Sequence, residues 1–464
     1  MNIPPVGIFT LIVGIICLMS GYRATAIAFC TMTVFGGAAA VLLGSAGIQP
    51  GHLFVGFLAL ATLSYREKMQ VALNALAPPN PAFWLVCLLV YGGIAGYFAP
   101  RLWAQTMQII PLGSSEYPDT GGAVPLGPVS SNFTQVVYYT ADIVTFVMVV
   151  ALGSTMSGFR AVTVGVMAFS AANLFFGILD MVGAGTAVQD WLGFIRNAPY
   201  AFHDEDVVAG VKRVVGSWPE ASTFACISLG AVGFTGTLRI CGRYSRVNGF
   251  LFLLSSIMVI RSTSSSGLFG LPVCLVILYF TCLMRCGGQS GTRFSAGVVL
   301  FAPIIIVLLG MLIIMDQAIF HALYAYFDLL LFSKATSASG VERGMWNLYG
   351  WNNFLDSYGL GVGLGTSRTS SFIFALLSNV GIPGTLFFGL FFLTAFMTPR
   401  GEARTFDGDV RLAARNGCLC LLVGAVVAVA TVDTGLLFFV MAALATAVPS
   451  HEDETAIAAI PMRV

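Results

Sequence analysis

The chain has 464 residues, of which 57% are hydrophobic and only 9% charged, and its formal net charge is +1. Soluble domains carry roughly a quarter charged residues, so this composition belongs in a bilayer. So small a net charge also leaves a nucleic-acid partner without an electrostatic basis.

In chain order, the opening stretch "MNIPPVGIFTLIVGIICLMSGYR" lacks the basic start of a cleaved signal peptide and reads as a first membrane helix. A spanning helix needs about 20 mostly apolar residues. The candidates are 4–21, 24–46, 51–64, 82–99, 135–157, 161–183, 221–238, 247–260, 266–284, 296–315, 371–397, 413–430 and 433–449. The stretch 51–64 is short, and only "VDTG" separates the last two. The expectation is an all-α, polytopic integral membrane protein with 12–14 transmembrane helices, forming a single membrane domain over 1–464. No internal repeat of fixed period is visible.

Short loops rich in Lys and Arg stay in the cytoplasm. "YREK", "RICGRYSR" and "PRGEARTFDGDVRLAAR" mark that side, and Arg160, Arg285 and Arg293 fall with them. The long connections 100–134, 184–220 and 316–370 fall on the opposite side, which would be the periplasm. The longest of them precedes the last helices.

Two chemistries can be set aside. The histidines His52, His203, His321 and His451 are far apart and make no metal-like spacing. The ten cysteines lie mostly in apolar runs, where thiols act as small buried hydrophobes. Cys282 and Cys286 are one turn apart, but no second pair accompanies them. Neither a metal nor a cofactor is expected.

The outer side carries the informative cations. Arg101, Arg196 and Lys334 read as solvated loop charges. Arg261 ends the apolar run "FLFLLSSIMVIR" and is followed by "STSSSG". It either snorkels to lipid headgroups or points into a cavity among hydroxyls, where it would hold an anion. Lys212 and Arg213 could extend an anion site. Glu220, after Pro219, opens an apolar helix and serves either as a cap or as a base.

The stretch 319–332 reads as an amphipathic helix lying on the membrane. Beyond it, "ERGMWNLYGWNNF" places Arg343, Trp346 and Asn353 on one helical side. An indole stacks on a sugar, an amide reads hydroxyls, and a guanidinium grips phosphate oxygens in pairs; an interfacial aromatic belt is the alternative. The run "GLGVGLGTSR" alternates Gly359, Gly361, Gly363 and Gly365 and closes on Arg368. It lacks the third glycine of a dinucleotide fingerprint and the lysine of a P-loop. It reads as a flexible turn at a helix start, suited to an anion. Asp142 and Asp433 lie within apolar runs; they read as hydrogen-bonded groups beside a cavity, and a proton path is the alternative.

An arginine ending a membrane run, a long outer loop with "ERGMWNLYGWNNF", a Gly-x-Gly-x-Gly run and then "SNVGIPG" occur in that order. Over roughly 250–395 this order resembles the O-antigen polymerase and O-antigen ligase superfamily of bacterial envelopes. The resemblance implies a multi-pass protein of the bacterial inner membrane that needs no metal and no nucleotide sugar. An acceptor hydroxyl would displace undecaprenyl pyrophosphate from a lipid-linked glycan at the periplasmic face. Arg261 and Arg343 would be the arginines that hold the pyrophosphate, with Arg368 a third candidate from the chemistry of this chain. The implied partners are the lipid-linked glycan, membrane lipids, a chain-length regulator and a flippase.

The ligase branch tends to carry a His-Asn pair where this chain has Ser370 and Ser371. That departure favours a polymerase over a ligase and leaves the base open among Glu220, Asp316, His321, Glu342 and Asp356. A transporter or flippase is the reading from a different class; paired, broken half-helices would mark one.

Overall fold

The structure is a computed structural model that describes residues 2–43, 46–118, 121–199, 202–203, 205–208, 210–287, 291–402 and 404–450. His451 lies outside these residues. The described chain is helical apart from three two-stranded hairpins. In order the helices are α1 (Pro5–Ser20), α2 (Tyr22–Met32), α3 (Pro50–Leu63), α4 (Arg66–Ala75), α5 (Pro81–Leu102), α6 (Ser131–Leu152), α7 (Met156–Val182), α8 (Ala187–Leu192) and α9 (Ala221–Ile240). Then come α10 (Ser245–Arg261), α11 (Ser265–Cys286), α12 (Arg293–Met315), α13 (Gln317–Leu330), α14 (Ala338–Asp356), α15 (Phe372–Phe396), α16 (Phe406–Ala428) and α17 (Leu436–Thr446).

The helix starts follow local chemistry. Proline takes the first position of α1, α3 and α5, where its missing N–H costs nothing. Thr155, Thr292, Ser337 and Thr405 cap α7, α12, α14 and α16 by accepting a backbone N–H.

Among the described residues, eight helices are long and apolar enough to cross a membrane: α5, α6, α7, α9, α11, α12, α15 and α16. An all-α polytopic membrane protein is therefore what the chain forms. Several of the thirteen expected spans are shorter than a bilayer. The stretch 24–46 is not one helix: α2 stops at Met32, and the chain turns into the hairpin Val41–Leu43/Ala46–Ile48. The helices α2 and α17 have 11 residues each and α3 has 14. At 1.5 Å per residue they reach only about 16–21 Å, against a hydrocarbon core of about 30 Å.

The buried centre is α9, packed between α10, α11 and α16. Helices in lipid gain nothing from excluding water from one another, so close approach at small residues holds them together. A Cβ on Gly233 of α9 would meet the Asn416 carbonyl and the Cys420 sulfur of α16, each at 2.7 Å. On α16, a Cβ on Gly424 would meet the Cys226 sulfur at 2.7 Å. Asn416 then ties three helices, donating to the Thr237 and Thr281 hydroxyls at 3.0 and 2.9 Å. By contrast, none of the apolar window of α12 is buried; it is apolar all round, as a helix bathed in lipid must be.

Each end of the bundle has its own ion network. At the basic end Asp409 accepts from Arg243 (2.8 Å) and Arg285 (2.7 Å). At the other end Asp180 holds Arg196 (2.8 Å) and Lys212 (3.0 Å) and accepts the Val215 and Gly216 N–H groups. Arg196 is thus a buried structural cation, not the solvated charge expected, because the 184–220 connection folds down onto the end of α7.

Gly233→Leu is expected to lower the unfolding midpoint in detergent, at a cost of more than about 1–3 kcal/mol of overpacking. Gly297→Leu on the lipid-facing α12, where a Cβ meets nothing within 4 Å, is expected to leave the midpoint unchanged.

Candidate functional site

The three long connections meet at one end of the bundle. Within 100–134, Met107, Ile109, Val124 and Leu126 form a small core with Val362 of the glycine run. The Leu330 carbonyl at the end of α13 accepts the Ser265 hydroxyl at 2.6 Å. The strand residue Lys212 gives its carbonyl to Arg261 at 2.9 Å. Next to it, Arg213 pairs with Asp206 at 3.5 Å and faces both Glu220 and Arg343. Arg343, on α14, pairs with Glu220 at 3.5 Å.

Arg261, Arg213, Arg343 and Glu220 therefore adjoin one another through the 211–213 segment, although 130 positions of sequence separate the first from the last of them. Lys334 joins the group. Burial, and then the charges of Arg343 and Arg213, push its pKa below the usual lysine value. Burial likewise lowers that of Arg213, against the opposing pull of Asp206 and Glu220. This clustering of cations favours an anionic guest. Arg261 is held by a loop carbonyl and so does not rely on lipid headgroups.

Glu220 takes the N-cap position of α9 without capping it. One carboxylate oxygen accepts the Ser222 hydroxyl and the other faces Arg343. It also lines a cavity of about 340 Å³, within the range of small-ligand sites. The cavity exists because α2 ends early while α3 and α17 begin late. Thr33, His52 and Gly435 all line it, as does the non-helical segment 429–435 after α16. The starts of α3, α9 and α17 all line it, so three positive dipole ends converge there.

Sequence reasoning did not place His52 or Tyr138 at this site, whereas Asp433, read as a group beside a cavity, does line it. His52 packs against Tyr138 with ring centroids 4.7 Å apart and the rings tilted by 41°, and both its nitrogens lack a partner among the described residues. Asp433 lies within electrostatic reach of His52, Tyr138, Tyr139 and Asp142. Asp142, expected to be a hydrogen-bonded structural group, is fully buried with its carboxyl facing that of Asp433. The available signals were the short run 51–64 and the "VDTG" interruption, which mark helices that stop inside the membrane.

The glycine run is not the flexible, anion-accepting turn expected. Pro383 removes a donor from α15, and Gly381 adopts a non-helical φ of 57°. The Ser378 and Asn379 carbonyls are thereby left without helical partners, and Val362 and Gly363 donate to them at 2.8 and 3.0 Å. The Ser357 hydroxyl takes the Gly361 N–H, the Asn379 side chain that of Ser367, and the Ile110 carbonyl that of Arg368. Gly361, Gly363 and Gly365 all have positive φ and press against Asn379, Ala95 and Ser131, respectively. Gly361–Ser367 are buried, and the backbone N–H groups of 359–363 and 366–368 are occupied. "GLGVGLG" and "SNVGIPG" are two halves of one packing device.

Two further candidates are displaced. Asn353 is buried, donating to the Ser367 hydroxyl at 3.2 Å, so it does not face an open sugar site. Trp346 carries the Arg368 guanidinium on its ring at 4.1 Å. One indole face and one phosphate candidate thus occupy each other. Of the other base candidates, Asp316 caps α13 through the Ala318 and Ile319 N–H groups. His321, Glu342 and Asp356 do not line the cavity.

A scan against protein-family models finds no match, and a search of curated proteins finds no similar sequence.

Gly363→Ala would place a Cβ 2.6 Å from the Ala95 carbonyl at a φ of 103°. It is expected to destabilise the fold by more than about 1 kcal/mol, read as a lowered unfolding midpoint. Arg368→Ala, which removes the cation–π contact with Trp346 from an exposed side chain, is expected to lower the midpoint less than Gly363→Ala does.

Proposed function

We propose that the chain is a membrane glycosyltransferase that polymerises undecaprenyl-pyrophosphate-linked oligosaccharide repeats of an exopolysaccharide or O-antigen at the periplasmic face of the inner membrane. The observation that carries this reading is the junction of a carboxylate with a cation cluster at one cavity. Glu220 lines the cavity, and Arg343 and Arg213 adjoin it.

The chemistry is a displacement. The acceptor hydroxyl oxygen bonds to the anomeric carbon as the bond from that carbon to the pyrophosphate oxygen breaks. The hydroxyl proton passes to Glu220, which must lie within hydrogen-bond reach of it. The leaving pyrophosphate gains negative charge, and Arg343, Arg213 and Lys334 stabilise it most at that moment. Arg261 positions the strand residues that present Arg213. Glu220 thereby takes the base role, which the sequence left open among five residues. Transfer to lipid A core or protein would use the same chemistry with another acceptor. Ser370 and Ser371, where the ligase branch tends to carry His-Asn, favour polymerisation.

One observation favours a second reading, a proton-coupled transporter or flippase. Asp142, Asp433 and His52 adjoin within the bundle, and intramembrane ionisable groups mark proton paths. The breaks at Gly381 and at 429–435 also give the interrupted helices that transporters use.

In a deletion strain complemented with each variant, Glu220→Gln, Arg343→Ala and Arg261→Ala are expected to remain in the membrane and to abolish polymer on a glycan gel. Wild-type chain length from all three would overturn the reading. Single repeats in the uncomplemented strain indicate a lost polymerase; long lipid-linked chains indicate a lost ligase. Asp433→Asn separates the second reading: loss of pH-driven solute uptake with glycan length intact would establish transport instead.

A further inference from the structure

At the basic end of the bundle, away from the cavity that holds Glu220, a second cavity of about 430 Å³ opens. Its walls come from α11, the end of α15, the connection to α16, and α16 itself. Arg285, Arg400, Arg404, Arg411 and Arg415 line it, with Asp409 and Glu402 as the lining carboxylates.

The described carboxylates reach only some of these cations, and Arg400 and Arg415 have none among the described residues. Asp409 is already shared by Arg285 and Arg243. Arg411 pairs with Asp407 at 2.8 Å and reaches the Ala447 carbonyl at 3.3 Å, yet its Nη2 has no partner among the described residues. The Nε of Arg285 is also without one. These two residues are only 6% and 8% exposed. Arg400 donates to the Thr394, Ala395 and Thr398 carbonyls and to no carboxylate among the described residues. Burial, and then the charge of Arg411, lower its pKa below the usual arginine value.

Arg415 lies one turn beyond Arg411 on the same face of α16 and is partly buried. No hydrogen bond or ion pair of its side chain is found among the described residues, and its Nε is buried without a partner. Glu402 lies exposed at the rim.

Like charges four apart on a helix repel, and a buried cation without a counter-ion is costly. Five guanidiniums around one hollow of about 430 Å³ are therefore unfavourable unless an anion sits among them. Planar guanidiniums take phosphate oxygens two at a time, which lysine cannot do. Met284, Phe396 and Leu412 are apolar members of the lining, so the guest need be anionic only at its head.

We propose that this cavity is a binding site for a phosphate-bearing anion, held by Arg415 and Arg411 and closed over by Arg400. Two sources share that chemistry: the headgroup of an anionic phospholipid entering from the bilayer, and a soluble phosphate entering from the aqueous side. The site is independent of the glycan chemistry at the other end, and so is its test.

The purified full-length chain is placed in phosphatidylcholine nanodiscs. Thermal unfolding is followed while phosphatidylglycerol is added to the discs, or while inorganic phosphate is added at constant ionic strength set with chloride. Retained lipid is read by native mass spectrometry. The wild-type midpoint is expected to rise in at least one arm, and Arg415→Gln to weaken that response at least tenfold in ligand concentration.

Because Arg415 makes no described contact, its variant is expected to match or exceed the wild-type midpoint without anion. Arg400→Gln is a second variant expected to weaken the response, and Arg101→Gln, exposed at the opposite end, is expected to respond like wild type. A rise with phosphatidylglycerol alone assigns a lipid headgroup, and a rise with millimolar phosphate assigns a soluble anion. No rise in either arm, or an Arg415→Gln response equal to wild type, overturns the proposal.

Discussion

In a bilayer every backbone N–H and C=O must find a partner within the protein, since an unsatisfied group costs several kcal/mol and no water is there to help. The break in α15 is where this constraint organises the most structure. Gly381 and Pro383 withdraw the Ser378 and Asn379 carbonyls from the helix, and the glycine run supplies the two missing donors. To do so it must thread between α5, α6 and α15, where side chains other than hydrogen will not fit at Gly363 and Gly365. That threading anchors the end of the long 316–370 connection. It thereby fixes α14, which carries Arg343 to Glu220.

The same constraint shapes the cavity. The helices α2, α3 and α17 are too short to span, so their ends would be stranded in lipid if they faced outward. They are instead packed against α6, α7 and α16, and their ends face a polar hollow shared with Gln135, Tyr138 and Glu220. The small residues of α9 and α16 let those two helices close to within backbone contact. This leaves α9 as a rigid post, with Glu220 at its head and the Asn416 network near its foot. Polar groups are thus concentrated at two levels, one cavity at each end, with an apolar, tightly packed middle between them.

The two ends differ in how they manage charge. Around Asp180, Arg196 and Lys212 share a carboxylate that also accepts two backbone N–H groups, and Arg196 donates to the Gly216 carbonyl, so that knot is closed and structural. Around Arg415 the described carboxylates reach only some of the cations, and the excess positive charge faces a hollow. An arginine count alone cannot tell these cases apart; what matters is whether the carboxylates are already used.

The sequence by itself determined the bilayer, the all-α architecture and the two chemically distinct ends, because composition, apolar run length and basic loops act without reference to distant residues. It also located Arg261, Arg213, Glu220 and Arg343 as the residues of interest. It did not reveal that they adjoin, since Arg213 meets Arg343 only after α9 to α13 have folded between them. The tertiary structure alone decided which cations are spent: Arg196 is buried on Asp180, Arg368 lies on Trp346, and Asn353 is sealed against Ser367. It alone also paired the glycine run with the Gly381 break and joined Asp142 to Asp433 and His52. Each of these depends on which backbone and side-chain groups remain unsatisfied once the helices pack, and a linear pattern cannot record that.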